Sequence, residues 1–405
     1  MATNGNLVVA QGGGPTAVIN SSLRGVAEQA LKDGRVGTVY GAGYGLEGVL
    51  GEDFLDLGAE RAETLQALHT TPGAALGSSR KRLSEAEYHR VLEAFRDHDV
   101  RYFLYIGGNG SMAACHRLHA LAEKEGADVH IVGVPKTVDN DIAGTDHCPG
   151  YGSACRYYAV SVSELGMDVE SLPTPVSIFE TMGRNAGWLA AATGLARRSE
   201  ADAPHLVYVP EHSLSLDRFL DDVQRVYDEH GWVVAAVGEG VTGEKGEALS
   251  AAPTAVPTDD FDRALPGGAA AALARRVGRE LGLRARSEKP GLCGRASVAH
   301  VSEVDRREAY ELGRAGVQRA VQGARGVMVA LRREEDGSAY SCTLTDVPLG
   351  EVAGRERLLP ARFMNEPGNM VSKAFCDYAA PLLGGMLPQH ARLEGFAGEG
   401  RSKRA

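Results

Sequence analysis

This chain has no general basic surface. Its 405 residues carry 43 Lys and Arg against 53 Asp and Glu, a formal net charge of −10. Nucleic acids and anionic membranes are held through basic patches, so neither is expected as a partner, and only local cationic pockets remain open. Also missing are CxxC pairs and any His/Cys ligand spacing. The six cysteines, Cys115, Cys148, Cys155, Cys293, Cys342 and Cys376, stand apart, so no structural zinc or disulfide framework is expected and reduced thiols in the cytoplasm fit. There is no uncharged apolar run of about 18 residues, the length that spans a bilayer. The N-terminal MATNGNLVVAQGGG lacks a basic region ahead of a long apolar core. Membrane spanning and secretion are therefore not expected. Composition excludes disordered and collagen-like classes, since 43% hydrophobic and 24% charged residues suit a soluble chain long enough for two packed domains.

What is present is a recurring unit: a short apolar run, a glycine, then a helix-like segment. NLVVAQGGGPTAVINSSLRGVAEQAL and RYFLYIGGNGSMAACHRLHALAEKEG are two such units, and DVHIVGVPKTVDND supplies the strand that follows. TPVSIFETMGRNAGWLAAATGLA, PHLVYVPEHSLSLDRFLDDVQRVYDEHG and GWVVAAVGEGV repeat the alternation. The pattern predicts an α/β fold around largely parallel sheets, with ligands at the carboxyl ends of the strands. TGEKGEALSAAPTAVPTDD, residues 242–260, reads as a loop or lid, and the tail EGRSKRA, residues 399–405, as frayed.

Two glycine loops invite phosphate. GGGPT, Gly12 to Thr16, follows one strand and precedes a helix, so backbone amides there suit an anion. GGNGS, Gly107 to Ser111, holds the same place in the next unit, with Ser111 placed to cap the helix. Neither is a Walker A loop, which closes with Gly-Lys-Ser/Thr, nor a dinucleotide GxGxxG. PKTVDND then places Lys136 just ahead of Asp139 and Asp141 at the end of a buried strand.

Together these segments resemble the phosphofructokinase family. GGNGS is similar to its Gly-Gly-Asp-Gly/Asp-Ser motif, PKTVDND to its Pro-Gly/Lys-Thr-Ile-Asp-Asn-Asp motif, and ETMGRNAGWLA to its Met-Gly-Arg segment, in the same order. LGSSR, TDHCPGYGSA, VYVPE and VGEG extend the likeness over most of Leu7 to Gly385. The GGGPTAVIN start, Lys136 and the ending LPARFMNEPGNMVSKAFCDYAAPLLGG look most like the long, pyrophosphate-using branch.

The resemblance implies two Rossmann-like domains with the active site in the cleft between them. The donor domain is expected at residues 1–149, completed by part of about 295–340, and the sugar-phosphate domain at 150–294, completed by about 341–405. It implies Asp139 as the base that takes the sugar hydroxyl proton, with Lys136 and Arg184 meeting the moving phosphoryl group. Thr137, Asp139, Met182, Gly183, Arg184, Glu211, Arg286 and Arg295 are the implied sugar-phosphate contacts. Gly13, Gly14, Arg80, Gly108, Asn109, Gly110, Ser111 and Lys136 are the implied donor-phosphate contacts. Mg²⁺, a hard cation that takes oxygen ligands, is implied at Asn109 and Asp141. Fructose 6-phosphate, pyrophosphate or ATP as donor, and a homodimer or homotetramer complete the expectation.

Departures from the family pattern widen it. Asn109 stands where a metal-binding aspartate is usual, and Pro175 where ATP-using bacterial enzymes place an arginine for the sugar phosphate. Leu292 in GLCGR replaces a polar or aromatic ligand, so sedoheptulose 7-phosphate or a specialised sugar stays open beside fructose 6-phosphate. Gly110 lacks the second aspartate usual in pyrophosphate enzymes and admits ATP, whereas Lys136 and the GGGPTAVIN start favour pyrophosphate. A sugar-phosphate-binding paralogue without turnover would fit Asn109, Pro175 and Leu292, but Lys136, Asp139, Asp141 and Arg184 are kept. Diacylglycerol and NAD kinases share the glycine loop but neither PKTVDND nor MGRNAGW.

Overall fold

The structure is a computed structural model and describes residues 5–249, 267–334 and 340–392. Most of the expected lid, from Ser250 on, and the tail 399–405 lie outside the described residues. In chain order the elements used below are β1 (Gly5–Gln11), α1 (Ile19–Lys32), β2 (Val36–Ala42), β3 (Phe54–Asp56), α2 (Glu85–Asp97), β4 (Val100–Gly107), α3 (Asn109–Glu125), β5 (His130–Pro135), α4 (Tyr151–Ser171), β6 (Val176–Thr181), α5 (Trp188–Thr193), β7 (Leu206–Tyr208), α6 (Leu216–His230), β8 (Val233–Gly238), α7 (Ala269–Glu280), β9 (Ala285–Glu288), α8 (Glu303–Val321), β10 (Val327–Arg333) and β11 (Cys342–Pro348). This is the α/β fold that the alternating pattern predicts.

Two compact units divide the chain. One comprises Met1–Ser153 and Arg295–Arg357, the other Ala154–Gly294 and Leu358–Ala405. The first is built on a seven-stranded sheet in the order β11-β10-β5-β4-β1-β2-β3, antiparallel only at the β10–β11 and β2–β3 edges. Its central strands are near-continuous apolar runs because both faces are covered. Val8, Ala10, Phe103 and Ile131 enter one core with the apolar side of α2 and α3, while Leu7, Val9, Leu104 and Val132 enter the other with α1 and α8. The helices α1 and α8 cross with backbone almost touching. A Cβ on Gly25 would strike the Tyr310 carbonyl, and one on Gly313 the Ser22 carbonyl, so glycine is required at both crossings.

Residues 342–357 correct the expected division. The resemblance implies that they belong with the sugar-phosphate domain, but β11 pairs antiparallel with β10 across its whole length and closes the edge of the first sheet. In the second unit, β7-β8-β6-β9 form a fully parallel sheet. Val176, Ile178, Leu206, Val233, Ala235 and Val237 pack on Phe219 and Val223 of α6 and Leu273 and Val277 of α7.

Candidate active site

In the first unit the strands β5, β4 and β1 are neighbours and parallel, so the loops at their carboxyl ends meet. Gly12 N–H donates to the Ile106 carbonyl at 2.9 Å, and Lys136 N–H to the Gly107 carbonyl at 3.0 Å. These bonds bring the GGG, GGNG and KTVDND segments together at one edge, the place where such sheets hold ligands. Gly13 adopts φ +72° and its N–H donates to the Ser79 carbonyl at 3.2 Å. Helix α1 begins only at Ile19, so its N-terminus does not follow directly on the glycine loop, and the Gly12 and Gly13 amides expected to meet an anion are taken by backbone carbonyls.

Three cations converge on that loop. The Lys136 ammonium is 1% exposed and donates to the Gly14 carbonyl at 2.6 Å. A side chain at Gly14 would run into the Arg295 guanidinium and lie 3.5 Å from that of Arg80. Burial, then the Arg295 charge, push Lys136 down to about 7. Lys136 is buried, Arg295 half-buried and Arg80 exposed, and the Asp139 and Asp141 charges only partly offset the repulsion that the arginines exert on Lys136, so the arrangement favours a highly charged anion. Arg295, expected with Arg286 among the sugar-phosphate contacts, lies beside Gly14. Arg286 is in the other unit, exposed on β9 next to Arg275 and Arg284 along a groove beside α7.

The carboxylates lie one loop away. Thr137 Oγ1 accepts from Asp139 N–H at 3.1 Å. Asn140 between the two aspartates is fully buried at φ +53°, a conformation asparagine tolerates better than most residues. Burial and the neighbouring Asp139 charge raise Asp141 well above the usual carboxylate range. Asn109, the first residue of α3, donates Nδ2 to Asp141 Oδ2 at 2.9 Å, while its own Oδ1 is buried without a hydrogen-bond partner. An orphaned carbonyl oxygen beside a deeply buried, repelled carboxylate is a donor set that fits a divalent cation with oxygen preference. Gly108 is the N-cap of α3, and Gly110 faces open space where a Cβ would meet nothing within 4 Å. Ser111 does not cap the helix. It sits within the first turn, and its hydroxyl pairs with Tyr105, because the helix starts three residues earlier than the motif suggests.

In the second unit the turn after β6 carries Met182, Gly183 and Arg184. Met182 N–H donates to the Tyr158 hydroxyl at 3.3 Å, and Gly183 takes φ +113°, where a Cβ would meet the Ala186 carbonyl. The Arg184 backbone passes so close to Gly240 that no side chain fits there. Glu211 is engaged differently from the expectation. It accepts from Gly187 N–H at 2.9 and 3.1 Å and from Leu359 N–H at 2.7 Å, so most of its lone pairs hold backbone rather than face a ligand. Glu239, which follows β8 in the VGEG stretch, carries no role that the sequence alone reveals. It accepts from Gly183 N–H, and burial, opposed by Lys289, raises it above the ordinary carboxylate range. Lys289 lies 2.8 Å from Glu180, which in turn caps α7 through the Gly268 and Ala270 amides.

Sequence comparison places this geometry among known proteins. The profile described as Phosphofructokinase matches residues 6–320. The chain belongs to the phosphofructokinase family. Within the family it is 40% identical over 394 residues to the pyrophosphate–fructose 6-phosphate 1-phosphotransferase of Xanthomonas campestris, covering 95% of this chain and 93% of that one. It is 37% identical to the sulfofructose kinase of Alkalicoccus urumqiensis, covering 89% and 92%. A crystal structure of a pyrophosphate-dependent phosphofructokinase from Nitrosospira multiformis superposes with a TM-score of 0.87 at 36% identity, covering 96% and 94%. None of the helices among the described residues is long and apolar enough to cross a membrane.

Proposed function

We propose that this chain transfers a phosphoryl group from pyrophosphate to the 1-hydroxyl of fructose 6-phosphate, giving fructose 1,6-bisphosphate. The observation that carries the reading is the convergence of Lys136, Arg80 and Arg295 on the Gly13–Gly14 loop, beside the Asp139 and Asp141 segment. Pyrophosphate is small and highly charged, with no nucleoside to anchor it, so it needs concentrated cations. The naming of four relatives at 37 to 40% identity as pyrophosphate–fructose 6-phosphate 1-phosphotransferases supports the same donor and acceptor.

Asp139 takes the hydroxyl proton as the oxygen attacks, while Thr137 holds the sugar against it. Lys136 and the two arginines keep the donor in line and take up charge on the leaving phosphate, a task of positioning and electrostatics. Arg184, planar and always charged, meets the charge developing on the transferred group, with Met182 and Gly183 shaping the sugar pocket. Asn109 and Asp141 would hold Mg²⁺, which supplies charge neutralisation on the donor oxygens. Arg286 on β9 is the remaining cation for the sugar phosphate. The protein works as a homodimer or homotetramer in the cytoplasm, a setting with which its six free thiols agree.

One observation favours ATP as donor: the open space at Gly110. For the acceptor, the likeness to a sulfofructose kinase keeps a sulfonated sugar in view. The test is turnover of purified protein with pyrophosphate or ATP against fructose 6-phosphate, sedoheptulose 7-phosphate and sulfofructose, with Mg²⁺ saturating. A specificity constant for ATP about tenfold above that for pyrophosphate overturns the donor. Phosphorylation of another sugar in preference to fructose 6-phosphate overturns the acceptor.

A further inference from the structure

A charged cluster that takes no part in the steps above closes the segment that carries Asp139 and Asp141. At its centre His147 is 1% exposed, with Nδ1 2.9 Å from Asp146 Oδ2 and Nε2 2.7 Å from Glu308 Oε2. Ionised carboxylates only accept hydrogen bonds, so both ring nitrogens carry protons and the ring is a cation. The groups facing it come from every surrounding element. Glu308 and, one turn earlier, Asp305 lie on α8, and Arg333 ends β10, 3.1 Å from Asp146. Tyr340 donates to Glu308 Oε1 at 2.7 Å, and Cys342 opens β11 with its Sγ 3.4 Å from the Tyr340 hydroxyl. The two carboxylates in contact with the ring are matched by the ring and Arg333. Asp146, His147 and Cys342 lie close enough together to hold a metal ion. Both ring nitrogens are already engaged, however, and a guanidinium occupies the Asp146 side, so the group is an ion network.

The network is tied to the catalytic segment by short steps. Thr137 N–H donates to the Pro149 carbonyl at 3.1 Å, and Cys148 N–H donates to Asn140 Oδ1 at 3.0 Å. Residues 137–140 therefore lie alongside 148–150. Asp305 accepts from Gly150 N–H at 2.8 Å and Ser153 N–H at 2.9 Å, and Thr145 and Asp146 bond to Leu331 of β10. We propose that His147, a protonated ring held between Asp146 and Glu308, is a positioning residue that fixes the 137–150 segment on α8 and β10 and so aims the Asp139 and Asp141 carboxylates. The inference rests on the phosphotransferase reading for its kinetic consequence and on geometry alone for the anchor. Burial opposes the ring's charge, but hydrogen bonds to Asp146 and Glu308 push it up to about 9. The anchor is thus complete below the ordinary histidine value and is lost as pH rises through about 9.

The experiment compares the parent with His147→Gln, Glu308→Gln and the double variant His147→Gln/Glu308→Gln. It measures kcat, both KM values and hydrogen exchange of peptides covering 137–150. His147→Gln leaves Asp146 and Glu308 without the cationic ring that joins them. It is expected to lower kcat between about tenfold and a hundredfold, the scale of a small misplacement, to leave both KM values within about threefold and to speed exchange in 137–150. The double variant restores charge balance through an amide pair and is expected to recover most of the lost kcat, as coupled sites do. A histidine that only packs would give no recovery. A kcat for His147→Gln within about twofold of the parent, or a double variant no faster than the single one, overturns the proposal. If His147→Gln is not recovered folded, Glu308→Gln takes its place with the same expectations. A parent that phosphorylates no sugar from either donor defeats the functional reading instead. Exchange then decides the anchor alone, and unchanged rates in 137–150 overturn it.

Discussion

Replacing Lys136 with methionine should stabilise the ligand-free protein while abolishing its response to pyrophosphate. The ammonium is 1% exposed and lies close to Arg295 and Arg80, and burial, then the Arg295 charge, push it from the ordinary lysine 10.5 down to about 7. At about 1.4 kcal/mol per pH unit, keeping that charge buried below pH 7 costs on the order of 5 kcal/mol. The hydrogen bond to the Gly14 carbonyl, from a charged donor, offsets roughly 1.5–3 kcal/mol of this. Methionine has similar length and no charge to desolvate, so a net gain of about 2–3 kcal/mol is expected, or roughly 4–12 °C in melting temperature for a unit of this size. The sign follows from proton counting. Between pH 7 and 10.5 the unfolded chain binds more protons at Lys136 than the folded one, so parent stability rises with pH across that window. The advantage of the variant is therefore largest near pH 6 and shrinks towards pH 10. Melting curves at pH 6, 8 and 10, with and without pyrophosphate and Mg²⁺, measure both effects. The parent should gain about 2.7 kcal/mol with donor at 100 times its dissociation constant, and the variant almost none. A variant less stable than the parent at pH 6, or a difference that does not change with pH, refutes the reasoning.

Asp139→Asn should fold normally and lose on the order of 10² to 10⁴ in turnover; retention of half the parent rate in a steady-state assay would exclude Asp139 as the base. Arg184→Ala should lower kcat more than it raises the sugar KM, and a raised KM at unchanged kcat would place the guanidinium on the ground state instead. Gly110→Asp puts a carboxylate into space where a side chain now meets nothing, and it should lower the ATP specificity constant relative to that for pyrophosphate; an unchanged ratio means that position 110 does not face the donor. Asn109→Asp supplies a charge beside Asp141, and the Mg²⁺ concentration for half-maximal rate should fall by about tenfold or less, as a Mg²⁺ titration would show.

Much of the fold is legible because its signals are local. Apolar runs such as NLVVA and RYFLYI are long enough to be buried on both faces, and the glycines after them mark the turns into helices. Partner choice is not local, which is why the sequence places residues 342–348 with one unit and the fold with the other. CTLTDVP is a half-exposed edge strand, and nothing in its own pattern says that β10 is its neighbour. The same limit separates Arg286 from Arg295. Nine positions apart in sequence, they fall on opposite sides of a chain crossing at Gly294 and Arg295.

Motifs in the site mark positions but not what each side chain is already doing there. Glu211 matches a family position, yet its oxygens are filled by the Gly187 and Leu359 amides, one of them 148 residues away. Glu239 sits in a stretch equally visible in sequence, and only the fold shows that it receives the Gly183 amide. The His147 network is the extreme case, since its partner Glu308 is 161 residues distant and no spacing rule joins them. Motif and network nonetheless act on one object. PKTVDND places Asp139 and Asp141 on a segment whose far end, TDHCPG, is bonded to α8 and β10. A loop with glycines and a positive-φ asparagine has no helix or sheet ladder to hold it, so its precision must come from side chains elsewhere. Buried charges well matched to one another provide that hold at a cost in stability that an apolar core would not carry, and the fold places that cost one step behind Asp139.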